Sequence, residues 1–185
     1  MNNLIRHITS LIFISLSLSA YPISYSFRGL SETNGLSDLT VSALYKDSVG
    51  YLWIGTATSV ECFDGFRFKH YPIFGDDEKL KWVNVIAETQ GNRIWVGNDM
   101  GLWRINKESG KLEPFVAEVI KFGVRSLLTD AQGTLYIGSE KGLFVCKNNE
   151  LEQITINADM WSSDNFIVDL NMGEKDTLWL SLIHI

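Results

Sequence analysis

Three histidines and two cysteines are all that 185 residues offer for metal ligation or sulfur cross-linking. That is too little for a multi-ligand zinc site or a disulfide framework. Cations are in the minority. Sixteen Lys and Arg against 22 Asp and Glu leave a net charge of −6, so the positive charge that neutralises a nucleic-acid backbone is missing. A long apolar run is missing too. The uncharged stretch Ile8 to Ala20 has thirteen residues, whereas a spanning helix needs about 20. Proline is scarce, at three, while 15 glycines and six tryptophans point to an all-β chain with many turns. An apolar content of 45% excludes a fully disordered chain.

The first twenty residues carry an address rather than a fold. Arg6 precedes the short apolar stretch, and Ser17, Ser19 and Ala20 supply small residues at its exit. A basic start, a short apolar run and a small-residue end make a secretory signal peptide. Residues 1–20 are therefore expected to direct export and to be cleaved after Ser19 or Ala20. The remainder is expected outside the cytoplasm.

Self-similarity organises everything after the lead-in, residues 21–37. Units start at Val41, Val83, Val124 and Ile167, spaced by 42, 41 and 43 residues. Three positions after each start stand Leu44, Ile86, Leu127 and Leu170; twelve after stand Trp53, Trp95, Tyr136 and Trp179. Glycine recurs fourteen after the start at Gly55, Gly97 and Gly138, with Ser181 in the fourth copy, and eighteen after at Gly101 and Gly142, with Ser59 in the first. Each unit reads as four short strands. In the first these are Val41 to Tyr45, Leu52 to Thr56, Val60 to Phe63 and Phe66 to Tyr71. The second strand, LWIGT, is apolar on consecutive positions, which suits burial on both faces. Repeats of about 40 to 45 residues with four strands each are propeller blades.

The expected fold is thus an all-β propeller of four-stranded antiparallel blades over residues 38–185. The lead-in supplies a ring-closing strand. About three and a half blades cannot close a ring of roughly four to eight, so the chain is read as the N-terminal part of a longer protein. The aromatics Trp53, Trp95, Tyr136 and Trp179 are expected between blades.

The stretch GLSDLTVSALYKDSVGYLWIGTATSVECFDG, Gly35 to Gly65, resembles the two-component regulator propeller repeat. The lead-in SFRGLSETNGLS is similar to the usual opening of such proteins. Ser59 and Val60 replace the usual Gly-Leu, and Tyr136 replaces Trp. The resemblance implies the periplasmic sensor part of a hybrid histidine kinase that responds to carbohydrates. In that family further domains follow: immunoglobulin-like, transmembrane, kinase, receiver and helix-turn-helix. It also implies a homodimer attached to the bacterial inner membrane through parts absent from this stretch. No phosphoacceptor helix or ATP-binding fold is present, so this fragment is not expected to be an enzyme. The alternatives are a secreted propeller enzyme such as a lyase, because fold does not fix function, or a protein-binding scaffold.

Candidate chemistry is sparse, and no catalytic residue, metal ligand or cofactor is expected. A lone His70 beside Tyr71 on an outer strand reads as solvent-facing. Asp47, Glu88 and Asp130 fall near one turn of each repeat and read as turn braces. Cys62 and Cys146 sit in different blades on opposite faces of equivalent third strands, too far apart to pair. They are expected to be free thiols.

Ligand contacts are expected where blade-entering connections and second turns share one face of the disc. One residue after each start come Ser42, Asn84, Arg125 and Val168, facing the central channel. Asn84 and Arg125 can hydrogen-bond a hydroxylated or anionic molecule, or simply neighbouring backbone. Trp82 and Trp161 leave the repeat pattern in long connections and can stack on sugar rings or cap the blade below. With Asn98, the candidate ligand-binding set is Trp82, Asn84, Asn98, Arg125 and Trp161.

Overall fold

The computed structural model describes residues 24–73, 82–115, 122–156 and 166–182. Residues 1–20, expected to be a signal segment, and Trp161 lie outside the described residues. No helix among the described residues is long and apolar enough to cross a membrane. The first blade comprises β1 (Val41–Lys46), β2 (Leu52–Thr56), β3 (Ser59–Phe63) and β4 (Phe68–Pro72). The second comprises β5 (Val83–Thr89), β6 (Arg93–Asn98), β7 (Gly101–Asn106) and β8 (Lys111–Pro114). The third comprises β9 (Val124–Thr129), β10 (Leu135–Ser139), β11 (Gly142–Lys147) and β12 (Glu150–Ile154). β13 (Ile167–Met172) and β14 (Leu178–Leu182) begin a fourth. Each complete sheet is antiparallel with its strands in sequence order. All four repeats open a strand at the expected start. From residue 24 the lead-in shows one 3-10 turn, Glu32–Asn34, and Leu36 is buried.

Blades stack through the strands that the repeat marks as apolar on both sides. β6 is buried at five consecutive positions, Ile94 to Asn98. The start residues Val83, Val124 and Ile167 are fully buried. Each sits against the glycine of the preceding blade. A Cβ on Gly55 would come within 2.5 Å of Val83, one on Gly97 within 2.5 Å of Val124, and one on Gly138 within 2.7 Å of Ile167. The recurring glycine is therefore a close-packing requirement between neighbours. Ser181 occupies this position where no following start residue lies against it among the described residues.

The aromatic layer follows the same logic, with one correction. Trp53 and Trp95 are 1% and 2% exposed, and each joins residues of the next blade in a common core. Tyr136 is partly buried and packs with the fourth unit. Trp179, expected between blades, is 65% exposed. Its strand matches the others, but among the described residues no blade covers it. The opposite end shows the same effect: Leu44 is 64% exposed where its equivalents Ile86 and Leu170 are buried.

The strands alternate in direction, so the disc has two faces. The upper face carries the turns between second and third strands and the first residue of each blade. The lower face carries the two other turns of every blade.

Candidate functional site

A β-bulge near the start of each first strand shapes the upper face. Register shifts fall at Val41/Ala43, Val83/Val85 and Ile167/Asp169, and opposite Gly138/Ser139 in the third blade. The residues involved, Ser42, Asn84, Arg125 and Val168, are those one place after each start. A bulge re-aims its side chain out of the regular pleat. Ser42 Oγ donates to the Val83 carbonyl at 2.7 Å, and Asn84 Nδ2 to the Val124 carbonyl at 3.0 Å. This position therefore laces one blade to the next.

Asn84 and Arg125 also meet over Asp99. Asn84 Nδ2 donates to Asp99 Oδ1 at 2.8 Å, and so does Arg125 Nη1 at 2.8 Å. Arg125 Nη2 donates to Glu140 Oε1 at 2.5 Å. The guanidinium also lies over the Phe166 ring, 5.8 Å from its centre. Side-chain exposures of 31% for Arg125, 45% for Asp99 and 34% for Glu140 leave the cluster open to solvent. It offers both donors and acceptors and carries a formal charge of −1.

The other expected contacts divide. Trp82 is 48% exposed and immediately precedes Val83. Asn98 is buried, and its Oδ1 accepts from the Met100 amide at 2.9 Å and from Trp103 Nε1 at 3.1 Å. Its amide thus braces the second turn beside Asp99. Asp99 and Glu140 were missed from sequence. A signal existed: each stands sixteen residues after its unit's start, so two acids share one repeat position.

A second polar cluster lies in the first blade. Glu61 is fully buried. Its carboxylate accepts from Ser59 Oγ at 2.6 Å and from Ser37 Oγ of the lead-in, and it pairs with His70 Nδ1. His70 is about half exposed, so the solvent-facing reading misses its pairing with a buried acid. The cluster pins the lead-in to the blade. The two hydroxyls bond one carboxylate oxygen and the imidazole pairs with the other, an arrangement that differs from a serine–histidine–acid relay.

The lower face uses its acids differently. Asp47 Oδ1 accepts from the amides of Val49, Gly50 and Tyr51, and its Oδ2 accepts from Trp53 Nε1 at 2.8 Å. Burial pushes this carboxyl up, but the four hydrogen bonds outweigh it and hold Asp47 below the ordinary carboxylate value. Asp130 follows the same pattern. Burial opposes ionisation there, and bonds from Thr134 and Tyr136 overcome it. The residue equivalent to Asp47 in the second blade is Thr89, which accepts from Trp95 Nε1 at 2.9 Å. Glu88, expected in this role, instead accepts from the amide and hydroxyl of Ser48 in the first blade. The offset is one residue, and it turns a brace within a turn into a tie between blades. Cys62 and Cys146 are free, as expected.

Residues 35–58 match the family model described as two component regulator propeller. Over this segment the chain is similar to a two-component regulator propeller repeat. Histidine kinase P4 of Formosa agariphila is 36% identical over 59 residues, 32% of this chain and 4% of that kinase. The extracellular domain of a B. thetaiotaomicron protein is similar in fold. Described as a putative one component system, it superposes with a TM-score of 0.67 at 21% identity over 80% of this chain and 21% of its own. In a second structure, described as a putative hybrid two component system, the TM-score is 0.64 at 20% identity, with the same coverage. A virginiamycin B lyase from Staphylococcus aureus, a catalytically inactive H270A form with quinupristin, gives a TM-score of 0.63 at 13% identity. That match covers 79% of this chain and 50% of the lyase. The chain thus spans a small part of the kinase and about a fifth of the solved extracellular domains. Its propeller repeat resembles the extracellular domains of two-component systems. The likeness to the lyase is one of fold.

Proposed function

We propose that this chain is the extracytoplasmic ligand-sensing propeller of a hybrid sensor histidine kinase. The observation that carries the reading is the regulator-propeller repeat at residues 35–58, set in a series of blades with the same register. Residues 1–20 export it to the periplasmic side of the inner membrane. The ligand is a hydroxylated molecule of the oligosaccharide class, bound by Trp82, Asn84 and Arg125 on the upper face together with Trp161, while the buried Asn98 holds the turn that carries Asp99. The cluster around Arg125 supports this class. Donors and acceptors lie side by side in it, as vicinal hydroxyls require. Its net negative charge disfavours an anion, and the half-exposed indole of Trp82 offers an apolar face for a sugar ring. Within a homodimer, binding favours one of two arrangements and so reaches the kinase.

The lyase reading rests on shared fold, which does not transfer chemistry. Calorimetry of the intact sensor ectodomain with neutral oligosaccharides tests the proposal. Arg125→Ala is expected to weaken binding by about 1–3 kcal/mol. Unchanged affinity in both Arg125→Ala and Trp82→Ala overturns the upper-face assignment.

A further inference from the structure

The lower face holds a cavity of about 420 Å³ between the first and second blades, away from the Arg125 cluster. Its floor is aromatic, with Tyr51, Trp53, Phe68 and Tyr71 lining it. Three cations surround it: Arg67 and Lys69 from the first blade and Lys107 from the second. The Lys69 ammonium lies 5.1 Å from the centre of the Tyr71 ring, and that of Lys107 lies 5.8 Å from the centre of the Trp53 ring. The rings hold both groups in place. Lys69 Nζ also reaches the Lys107 carbonyl at 3.5 Å.

None of these cations forms a salt bridge among the described residues, although the charge of Arg67 is felt by Asp64. The acid lining the cavity, Asp64, is committed to its own turn: its Oδ1 accepts from the amides of Phe66 and Arg67, each at 2.7 Å. The cavity therefore carries a formal charge of +2 in a chain whose net charge is −6.

The repeat shows that this is peculiar to one junction. The row Trp53, Cys62, Lys69 in the first blade corresponds to Trp95, Arg104, Glu113 in the second and to Tyr136, Val145, Glu152 in the third. A lysine replaces the acid found in both other blades, and a small cysteine stands where the second blade has arginine. The first exchange makes the cavity cationic and the second leaves it room. Burial pushes the Cys62 thiol up to about 11, so the sulfur stays protonated and the site binds without thiolate chemistry.

We propose that this inter-blade cavity is a binding site for a small anion carried on a ring, a sugar acid or an aromatic carboxylate. The carboxylate lies between the Lys69 and Lys107 ammonium groups, and the ring rests against Tyr51 and Phe68. Charge-assisted hydrogen bonds at a partly desolvated site supply the affinity, and the bound anion relieves the repulsion between the lysines. The site is independent of the upper-face reading, which calls for a neutral hydroxylated ligand and other residues.

The test is calorimetry of the chain at low salt with two matched pairs: D-glucuronate against D-glucose, and 4-hydroxybenzoate against 4-hydroxybenzyl alcohol. At least one acid is expected to bind about tenfold or more tightly than its neutral counterpart, and the tighter acid identifies the source of the anion. Lys69→Glu, which restores the acid of the other blades, should weaken that binding more than about tenfold, and Lys107→Gln by several-fold. Lys147→Gln, an exposed change in the third blade, should leave it unaltered. The proposal is overturned if neither acid binds more tightly than its neutral partner, or if Lys147→Gln weakens binding as much as Lys69→Glu. It also falls if binding survives unchanged in both variants of the site while circular dichroism shows them folded.

Discussion

The two faces of the disc treat charge in opposite ways. On the upper face the carboxylates of Asp99 and Glu140 pair with Arg125, and the cluster stays open to solvent. On the lower face Asp47, Asp64 and Asp130 accept from turn amides and ring donors, and among the described residues Arg67, Lys69 and Lys107 form no salt bridge. A backbone N–H occupies the lone pairs of a carboxylate but leaves its charge, whereas a guanidinium also neutralises it, and this difference in partners leaves the lower-face cations rather than Arg125 to meet an anion.

Both faces hang from the layer of aromatics between blades, so the largest effect belongs there. Trp95→Ala should cost about 3–5 kcal/mol by opening a cavity. The equivalent Trp179→Ala, 65% exposed, should cost less than about 1 kcal/mol. Equal shifts in denaturant midpoint would remove the frame on which the two faces are defined.

Next comes the turn of the lower face. Asp47→Ala removes four hydrogen bonds and leaves the buried Trp53 N–H without an acceptor, for about 2–3 kcal/mol in urea denaturation. The upper-face charge should matter less. Arg125→Ala leaves two partly exposed carboxylates unpaired and should cost about 1 kcal/mol, reduced by solvent screening. An Asp47→Ala variant no less stable than the wild type would mean that the turn amides do not hold that acid.

Acid titration sharpens the same contrast. The folded-state values of Asp47 and Asp130 are lowered, so their stabilisation is fully present above the ordinary carboxylate value. It is lost as pH falls below about 4 toward the lowered values. The denaturation midpoint should fall in that window, with a shallower fall in Asp47→Asn. The smallest effect is expected at Lys69. Lys69→Glu should change stability by no more than about 0.5 kcal/mol, because its contribution is to binding.

The blades were legible because their starts and aromatic positions repeat four times and the inter-blade glycine three times. One-position errors survived where the repeat varies, as with Glu88 in place of Thr89. Asn84 and Arg125 could be found because they hold the bulge position of each unit. Asp99 and Glu140 could have been found by aligning second turns. The cavity could not, since Lys69 and Lys107 are 38 residues apart and look like ordinary surface lysines.

The sequence by itself determined the strand order, the register and the glycines, because each depends on contacts repeated from blade to blade. Only the tertiary structure decided how those positions are used. Trp53 and Trp179 share a motif yet differ in exposure, because burial depends on whether a neighbouring blade is present. Asp64 and Asp99 are both turn acids, yet one bonds its own backbone and the other an arginine from the next blade. Which partner an acid reaches is set by the geometry between blades, and local sequence does not encode it.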